Sequence, residues 1–480
     1  MQAGLIIDGV AQARDSGFER RNPITGDLVT TAAAATVEDA KAAVKSCAAA
    51  FPKWAATAPA ERRNILLKAA DLLDASSARL KTIMVAETGA SQPWAAFNAR
   101  LAADMLREAA GVTTQVKGEV IPSNKPGAFS MAIRRPAGVV LSIAPWNAPV
   151  ILSVRAFCTA LACGNTVILK SSELSPGTQF LVGQIMQEAG LPPGVLNVVS
   201  NAPADSGAVV EAMVAHPAVR RVNFTGSTRT GRIVAQTCAR YLKPVLLELG
   251  GKAPIIVLPG ADIDAAVRAT AFGAYMHQGQ ICMSTEKVVV DRRIADAFAD
   301  RLAARANTLV AGNPLTSDVP LGSLVSAQAA ERVSSLIEDA VSKGAKLLAG
   351  RERRGPIMDA ALLDHVTRDM TIYHEESFGP VACIVRVDGA DEAVHVANDT
   401  EYGLSSAIFA GDVGHALSIA QRLDFGCCHI NGPTVYDEAQ MPLGGMKASG
   451  YGRFGGLPGI QEFTEVQWIS IEDPAQHYPI

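Results

Sequence analysis

The chain has 480 residues, 49% of them hydrophobic and 19% charged, with a formal net charge of -4. That balance is ordinary for a soluble globular enzyme; it excludes wholesale disorder and offers no basic surface for nucleic acid. The length predicts about three units of ~150 residues rather than one core.

Residues 1–9 lack a basic segment followed by a long apolar stretch, so a signal peptide is not expected and a cytoplasmic setting is. No apolar run reaches the ~20 residues that span a bilayer, which predicts no membrane association. The eight cysteines form no CxxC pairs, so neither a disulfide framework nor a metal site is expected. Residues 40–110 read as alanine-rich helices punctuated at Pro52, Pro59 and Gly89. Residues 127–135 alternate apolar and polar side chains, as an exposed antiparallel strand does. Short β-branched runs follow at 139–143, 166–170, 194–199 and 222–225, with helix-length segments at 176–189 and 229–241 between them. This alternation predicts parallel strands with crossover helices, a Rossmann-like doubly wound α/β sheet. Runs at 254–258, 287–290 and 381–385 predict a second α/β unit. Cys427-Cys428-His429 reads as a strand whose adjacent side chains point apart, so core packing is expected there rather than metal binding. Residues 466–471 alternate again.

Three motifs carry chemistry. Ala144-Pro145-Trp146-Asn147 fixes an amide in a rigid turn, suited to donating to an oxyanion. Leu247-Glu248-Leu249-Gly250-Gly251-Lys252 places a carboxylate before a glycine turn, and Gly279-Gln280-Ile281-Cys282-Met283-Ser284 places a thiol among small residues. A nucleophile and a base are the pairing covalent catalysis requires. Phe224-Thr225-Gly226-Ser227-Thr228-Arg229-Thr230-Gly231 follows a strand and opens a helix, a setting that favours a phosphate. The string Gly450-Tyr451-Gly452-Arg453-Phe454-Gly455 has no strand–turn–helix context and is expected to be structural.

Taken in this order, the motifs make the chain resemble the aldehyde dehydrogenase superfamily along almost its whole length. The resemblance implies an NAD-binding domain at 1–117 and 137–249, a catalytic domain at 250–449, and a small protruding oligomerisation sheet at 118–136 and 455–480. It implies a homodimer or homotetramer. Cys282 becomes the nucleophile, Asn147 an oxyanion donor and Glu248 the base that activates water on a thioester. Gly226, Ser227 and Gly231 form the dinucleotide loop, and Lys170 and Glu173 contact the adenosine ribose. Glu376 holds the nicotinamide ribose, and Phe378 borders the ring. A carboxylate at 173 repels a 2′-phosphate, which favours NAD over NADP. Gln280-Ile281-Cys282-Met283-Ser284-Thr285-Glu286, Asn431 to Val435 and Glu438 to Gln440 resemble the subgroup acting on ring aldehydes: salicylaldehyde, vanillin and benzaldehyde dehydrogenases. Ser284, Lys287 and Ala156 depart from commoner family residues without removing a proposed catalytic group. Arg155, one turn beyond Ile151 on the helix after Asn147, is a candidate for binding a phenolic oxygen, or else forms an ion pair. The alternatives are an aliphatic aldehyde or semialdehyde dehydrogenase, a CoA-acylating variant that Glu248 disfavours, and a non-catalytic structural or binding protein on this fold.

Overall fold

The computed structural model describes residues 1–350, 352–475, 478 and 480. Helices Val37–Ala56, Pro59–Ala75, Ser77–Thr88 and Gln92–Val112 fill the predicted helical stretch. Thr36 and Asp39 cap the first reciprocally, each side chain accepting from the other's backbone N–H. Pro59 opens the second helix and Gly89, at φ 72°, closes the third. Pro52 does not punctuate. It lies inside the first helix, whose buried stripe continues past it to Trp54. A proline so near the end of a helix removes one ladder bond, and the packing beyond it holds the last turn in place.

One eight-stranded sheet has the order Gly450–Tyr451, Val245–Glu248, Val219–Thr225, Val139–Ile143, Thr166–Lys170, Leu196–Val199, Leu5–Ile7, Val10–Gln12. Its five central strands are parallel. Their chain order reverses between Val139–Ile143 and Val219–Thr225, which makes the sheet doubly wound with its switch point there. The antiparallel edge strands came from segments with no clear periodicity. Gly450 pairs with Glu248 and Tyr451 with Leu247, and a Cβ on Gly450 would lie 2.1 Å from the Leu247 carbonyl oxygen. That glycine string therefore serves close backbone approach.

A second sheet has the order Lys346–Ala349, Ala361–Asp364, Val381–Val387, Thr285–Asp291, Ala253–Val257, Ser405–Phe409, Cys427–Ile430, parallel except for its first strand. Cys427–Ile430, an edge strand, is half-buried, and Cys427, Cys428 and Ile430 pack against the core from it. A third, antiparallel sheet joins Glu119–Ile121, Phe129–Pro136 and Thr464–Ile471, and leaves Val120, Phe129, Val466, Trp468 and Ile471 exposed. Within the expected 455–480 segment, Gly456–Glu462 is a helix rather than sheet, and residues 476, 477 and 479 lie outside the described residues. No helix among the described residues is long and apolar enough to cross a membrane.

Candidate active site

Parallel strands deliver their carboxyl ends to one crevice, the position where open α/β sheets bind ligands. Asn147 follows Val139–Ile143, Gly226 and Ser227 follow Val219–Thr225, and Glu248 ends Val245–Glu248. The second sheet faces them, with Cys282 just before Thr285–Asp291 and Glu376 and Phe378 just before Val381–Val387. These seven residues line a single cleft of about 690 Å³. Lys170, Glu173, Gly231 and Arg155 do not line it.

Cys282 is half-buried at the end of an unusual arch. His277, Gln278 and Gly279 are consecutive left-handed residues, at φ 49°, 55° and 70°. Non-glycine residues hold that conformation only where their surroundings impose it. Here the Gln278 amide donates to the Ser323 carbonyl at 2.8 Å, and Gln280 Oε1 accepts from the Val325 N–H at 2.9 Å. The buried His277 ring stacks on Trp94 with centroids 5.0 Å apart. Glycine at 251 is required because a Cβ there would lie 2.2 Å from the Cys282 carbonyl oxygen. Burial pushes the Cys282 thiol well up, the Glu248 and Glu376 carboxyls add to the rise, and Arg155 opposes it. A resting thiol therefore needs a base to become a nucleophile.

Glu248 is 1% exposed, and neither carboxylate oxygen has a hydrogen-bond partner among the described residues. Burial pushes it up to about 7, against the pull of the Cys282 thiol and Arg155. That is the range in which a carboxyl exchanges protons at neutral pH. Asn147 is held through side chain and backbone: its Nδ2 donates to the Gln280 backbone carbonyl at 2.9 Å, and its backbone carbonyl accepts from Trp94 Nε1 at 3.0 Å. The second Nδ2 hydrogen remains for an oxyanion.

Ser227 caps helix Thr228–Arg240, its side chain accepting from the Thr230 N–H. The residues from Thr225 to Arg229 line the cleft, so the positive end of a 13-residue helix faces it. Gly231 packs instead: a Cβ there would lie 2.4 Å from Leu249 Cδ2, so glycine seats this helix against the strand end that carries Glu248. Lys170, at the end of Thr166–Lys170, pairs with Glu173, which also accepts from Ser206 Oγ at 2.8 Å. Burial acts to raise the Glu173 carboxyl, but Lys170 and Ser206 outweigh it and leave it low, hence ionised. Glu376 accepts from the Gly251 N–H at 2.8 Å and is pushed up to about 8 by burial and the nearby Glu286. Phe378, left-handed at φ 50°, meets Trp146 edge-on at 5.9 Å. A helix N-terminus, the Glu376 carboxyl and an aromatic wall in one cleft form a set that fits a nicotinamide dinucleotide.

Arg155 sits on helix Pro149–Ala162, buried, and pairs with Asp437. It borders a small separate cavity with Met105, Cys158 and Phe454, yet its charge reaches Glu248 and Cys282. Sequence reasoning missed Asp437, Arg332, Lys252 and Glu286. Their partners lie 34 or more residues away, so no local spacing announced them.

The chain matches the aldehyde dehydrogenase family over residues 10–469. It is 59% identical over 478 residues to a vanillin dehydrogenase of Pseudomonas fluorescens, covering 99% of each chain. It is 40% identical over 460 residues to an NAD(+) benzaldehyde dehydrogenase of Pseudomonas putida, covering 95% of this chain and 94% of the relative. The structure matches that of a salicylaldehyde dehydrogenase from Pseudomonas putida G7 complexed with salicylaldehyde, with a TM-score of 0.98 at 46% identity over 100% of both chains.

Proposed function

The chain belongs to the aldehyde dehydrogenase family, an aldehyde-oxidising oxidoreductase that uses NAD(P), and we propose that it oxidises a monocyclic aromatic aldehyde to the carboxylic acid with NAD as the acceptor. Convergence of Cys282, Glu248 and Asn147 on one cleft beside an open helix N-terminus carries the reading. The ring preference is supported by likeness to proteins named for vanillin, benzaldehyde and salicylaldehyde.

Cys282 adds to the aldehyde carbonyl as Glu248 takes its proton, giving a thiohemiacetal whose oxyanion accepts a hydrogen bond from the free Asn147 amide N–H. Glu376 and Phe378 would hold a nicotinamide, which would supply the hydride acceptor. Collapse of the oxyanion leaves an acyl thioester on Cys282. Glu248, once it has passed the thiol's proton to solvent, deprotonates water, which attacks the thioester; the Cys282 thiolate leaves and the acid is released. Steady-state NADH formation with benzaldehyde, vanillin, salicylaldehyde, succinic semialdehyde and hexanal tests the assignment. Higher kcat/KM for the ring aldehydes is expected, and preference for hexanal or the semialdehyde would replace it with the aliphatic reading.

Glu173 favours NAD because an ionised carboxylate repels a 2′-phosphate. Glu173→Gln is expected to shrink the NAD-over-NADP preference in kcat/KM about 10-fold, the effect of removing ~1.4 kcal/mol of discrimination. An unchanged ratio would remove Glu173 from cofactor selection.

Arg155 gains a second reading from its Asp437 partner: a buried cation that lowers the cost of charge on Cys282 and Glu248. If it instead binds a ring hydroxyl, Arg155→Ala lowers kcat/KM for hydroxylated benzaldehydes about 10–100-fold more than for benzaldehyde, from a charge-assisted bond of ~1.5–3 kcal/mol. Equal losses for both substrates would assign it the electrostatic role.

The division into an NAD-binding domain (1–117, 137–249), a catalytic domain (250–449) and an oligomerisation sheet (118–136, 455–480) is part of the proposal. So is a homodimer or homotetramer, supported by the exposed Val120, Phe129 and Trp468 on that sheet. A cytoplasmic setting is supported by the eight free thiols.

A further inference from the structure

Beneath the cleft lies an ion pair that the mechanism above does not use. Lys252 and Glu286 meet at 2.6 Å with side chains 0% and 4% exposed. Glu286 also accepts from two backbone amides of the facing loop, Ser377 N–H at 2.8 Å and Phe378 N–H at 3.0 Å. A dry ion pair is a weak source of stability, because desolvation offsets most of the attraction. Its placement gives it another use. Lys252 lies four residues beyond Glu248, Glu286 four beyond Cys282, and the amides it holds belong to the loop that carries Glu376 and Phe378. The Gly251 N–H closes a second tie onto the same loop, donating to Glu376 at 2.8 Å. Phe378 is left-handed at φ 50°, a conformation a bulky residue keeps only when held. Arg332 grips the outer side, donating to the Glu376 carbonyl at 2.6 Å and the Ser377 carbonyl at 2.9 Å.

We propose that Glu286, neutralised by Lys252, is a positioning residue that clasps the segments bearing the base, the nucleophile and the nicotinamide-side loop, and so sets the distance over which hydride leaves the thiohemiacetal. The inference rests on the cofactor role proposed for Glu376 and Phe378. Glu286 touches no reacting atom; it acts through the 376–378 backbone. Its carboxylate suits the task because two acceptor oxygens serve a cation and two amides at once.

The test separates acylation from hydride transfer. Hydrolysis of 4-nitrophenyl acetate needs the Cys282 thiolate to attack the ester carbonyl, expel 4-nitrophenolate and yield to water; it needs no nicotinamide. In Lys252→Met/Glu286→Leu the buried charges go together and the volume stays, so no lone ion is left in the core. This variant is expected to keep ester hydrolysis, raise KM for NAD⁺, and lose about 100-fold in kcat for benzaldehyde oxidation, the scale of an ångström misplacement. A primary deuterium isotope effect from formyl-deuterated benzaldehyde should increase with it. Lys252→Met/Glu286→Gln, which restores an acceptor for the two amides, should recover most of the lost oxidation. If the leucine variant does not fold, Glu286→Asp, one methylene short of the loop, should show the same selective loss. Unaltered oxidation, an equal loss of both activities, or no recovery in the glutamine variant would each overturn the proposal. A wild-type protein that hydrolyses the ester but oxidises no aldehyde would instead overturn the cofactor reading on which it stands.

Discussion

Cys282→Ala is expected to abolish aldehyde oxidation, a fall of about 10⁴-fold or more in kcat, while nicotinamide cofactor binding stays at the wild-type level. The size follows from the chemistry: without a thiol there is no thiohemiacetal, and a planar aldehyde has no tetrahedral carbon from which hydride can leave. Sparing of cofactor affinity follows from placement, since the dinucleotide determinants sit on the first sheet and the 376–378 loop rather than on residue 282. Alanine fills a half-buried site with little change in packing, so loss by unfolding is not expected. Stopped-flow fluorescence for cofactor binding and NADH absorbance for turnover check the two halves. Substantial residual turnover would sink the covalent route. It would also direct attention to Cys427, whose thiol is half-buried and within electrostatic reach of Glu248.

Glu248→Gln should divide the reaction in two. The amide keeps the shape of the carboxyl but takes no proton at neutral pH, so water on the thioester is not activated. Acylation still proceeds, more slowly than in the wild type, because removing the Glu248 carboxyl also removes part of what holds the Cys282 thiol up, so a larger fraction ionises without a base. The expected trace is an NADH burst approaching one per site, followed by turnover at least about 100-fold below wild type, within the range for removing a general base. The wild-type pH profile carries a matching sign. Glu248 works as a base only when deprotonated, and burial places its titration at about 7. Where deacylation limits kcat, the rate should therefore rise with pH through about 7, and the glutamine variant should lack that inflection. An unchanged steady-state kcat would remove Glu248 from deacylation.

Much of this site was legible in the sequence because its parts are local. Asn147 and Gly226 each follow a short β-branched strand, and the alternation of those strands with helices puts their carboxyl ends together; Glu248 was marked only by its glycine turn, because its strand Val245–Glu248 is leucine-rich. The reach of Pro52 was not legible: proline is a helix breaker by local propensity, and only the buried stripe through Trp54 reveals that packing prevails. The edge strand Gly450–Tyr451 was missed for a similar reason, since two residues carry no period. Arg155 shows the limit most clearly. Its position on the helix stripe could be counted from the sequence. Asp437, which decides how much of its charge is free for a substrate, is 282 residues away, and Glu286 depends likewise on Lys252 and the 377–378 amides. Partners joined only by the tertiary fold leave no periodic trace.

The covalent intermediate is the centre of the account, and trapping it is the most direct test. Glu248→Gln mixed with NAD⁺ and benzaldehyde, quenched in acid within the burst and digested, should give a benzoyl thioester on the peptide containing Cys282. Its amount by mass spectrometry should equal the NADH formed. Burst NADH without a benzoylated Cys282 peptide, or benzoylation at another residue, would contradict it.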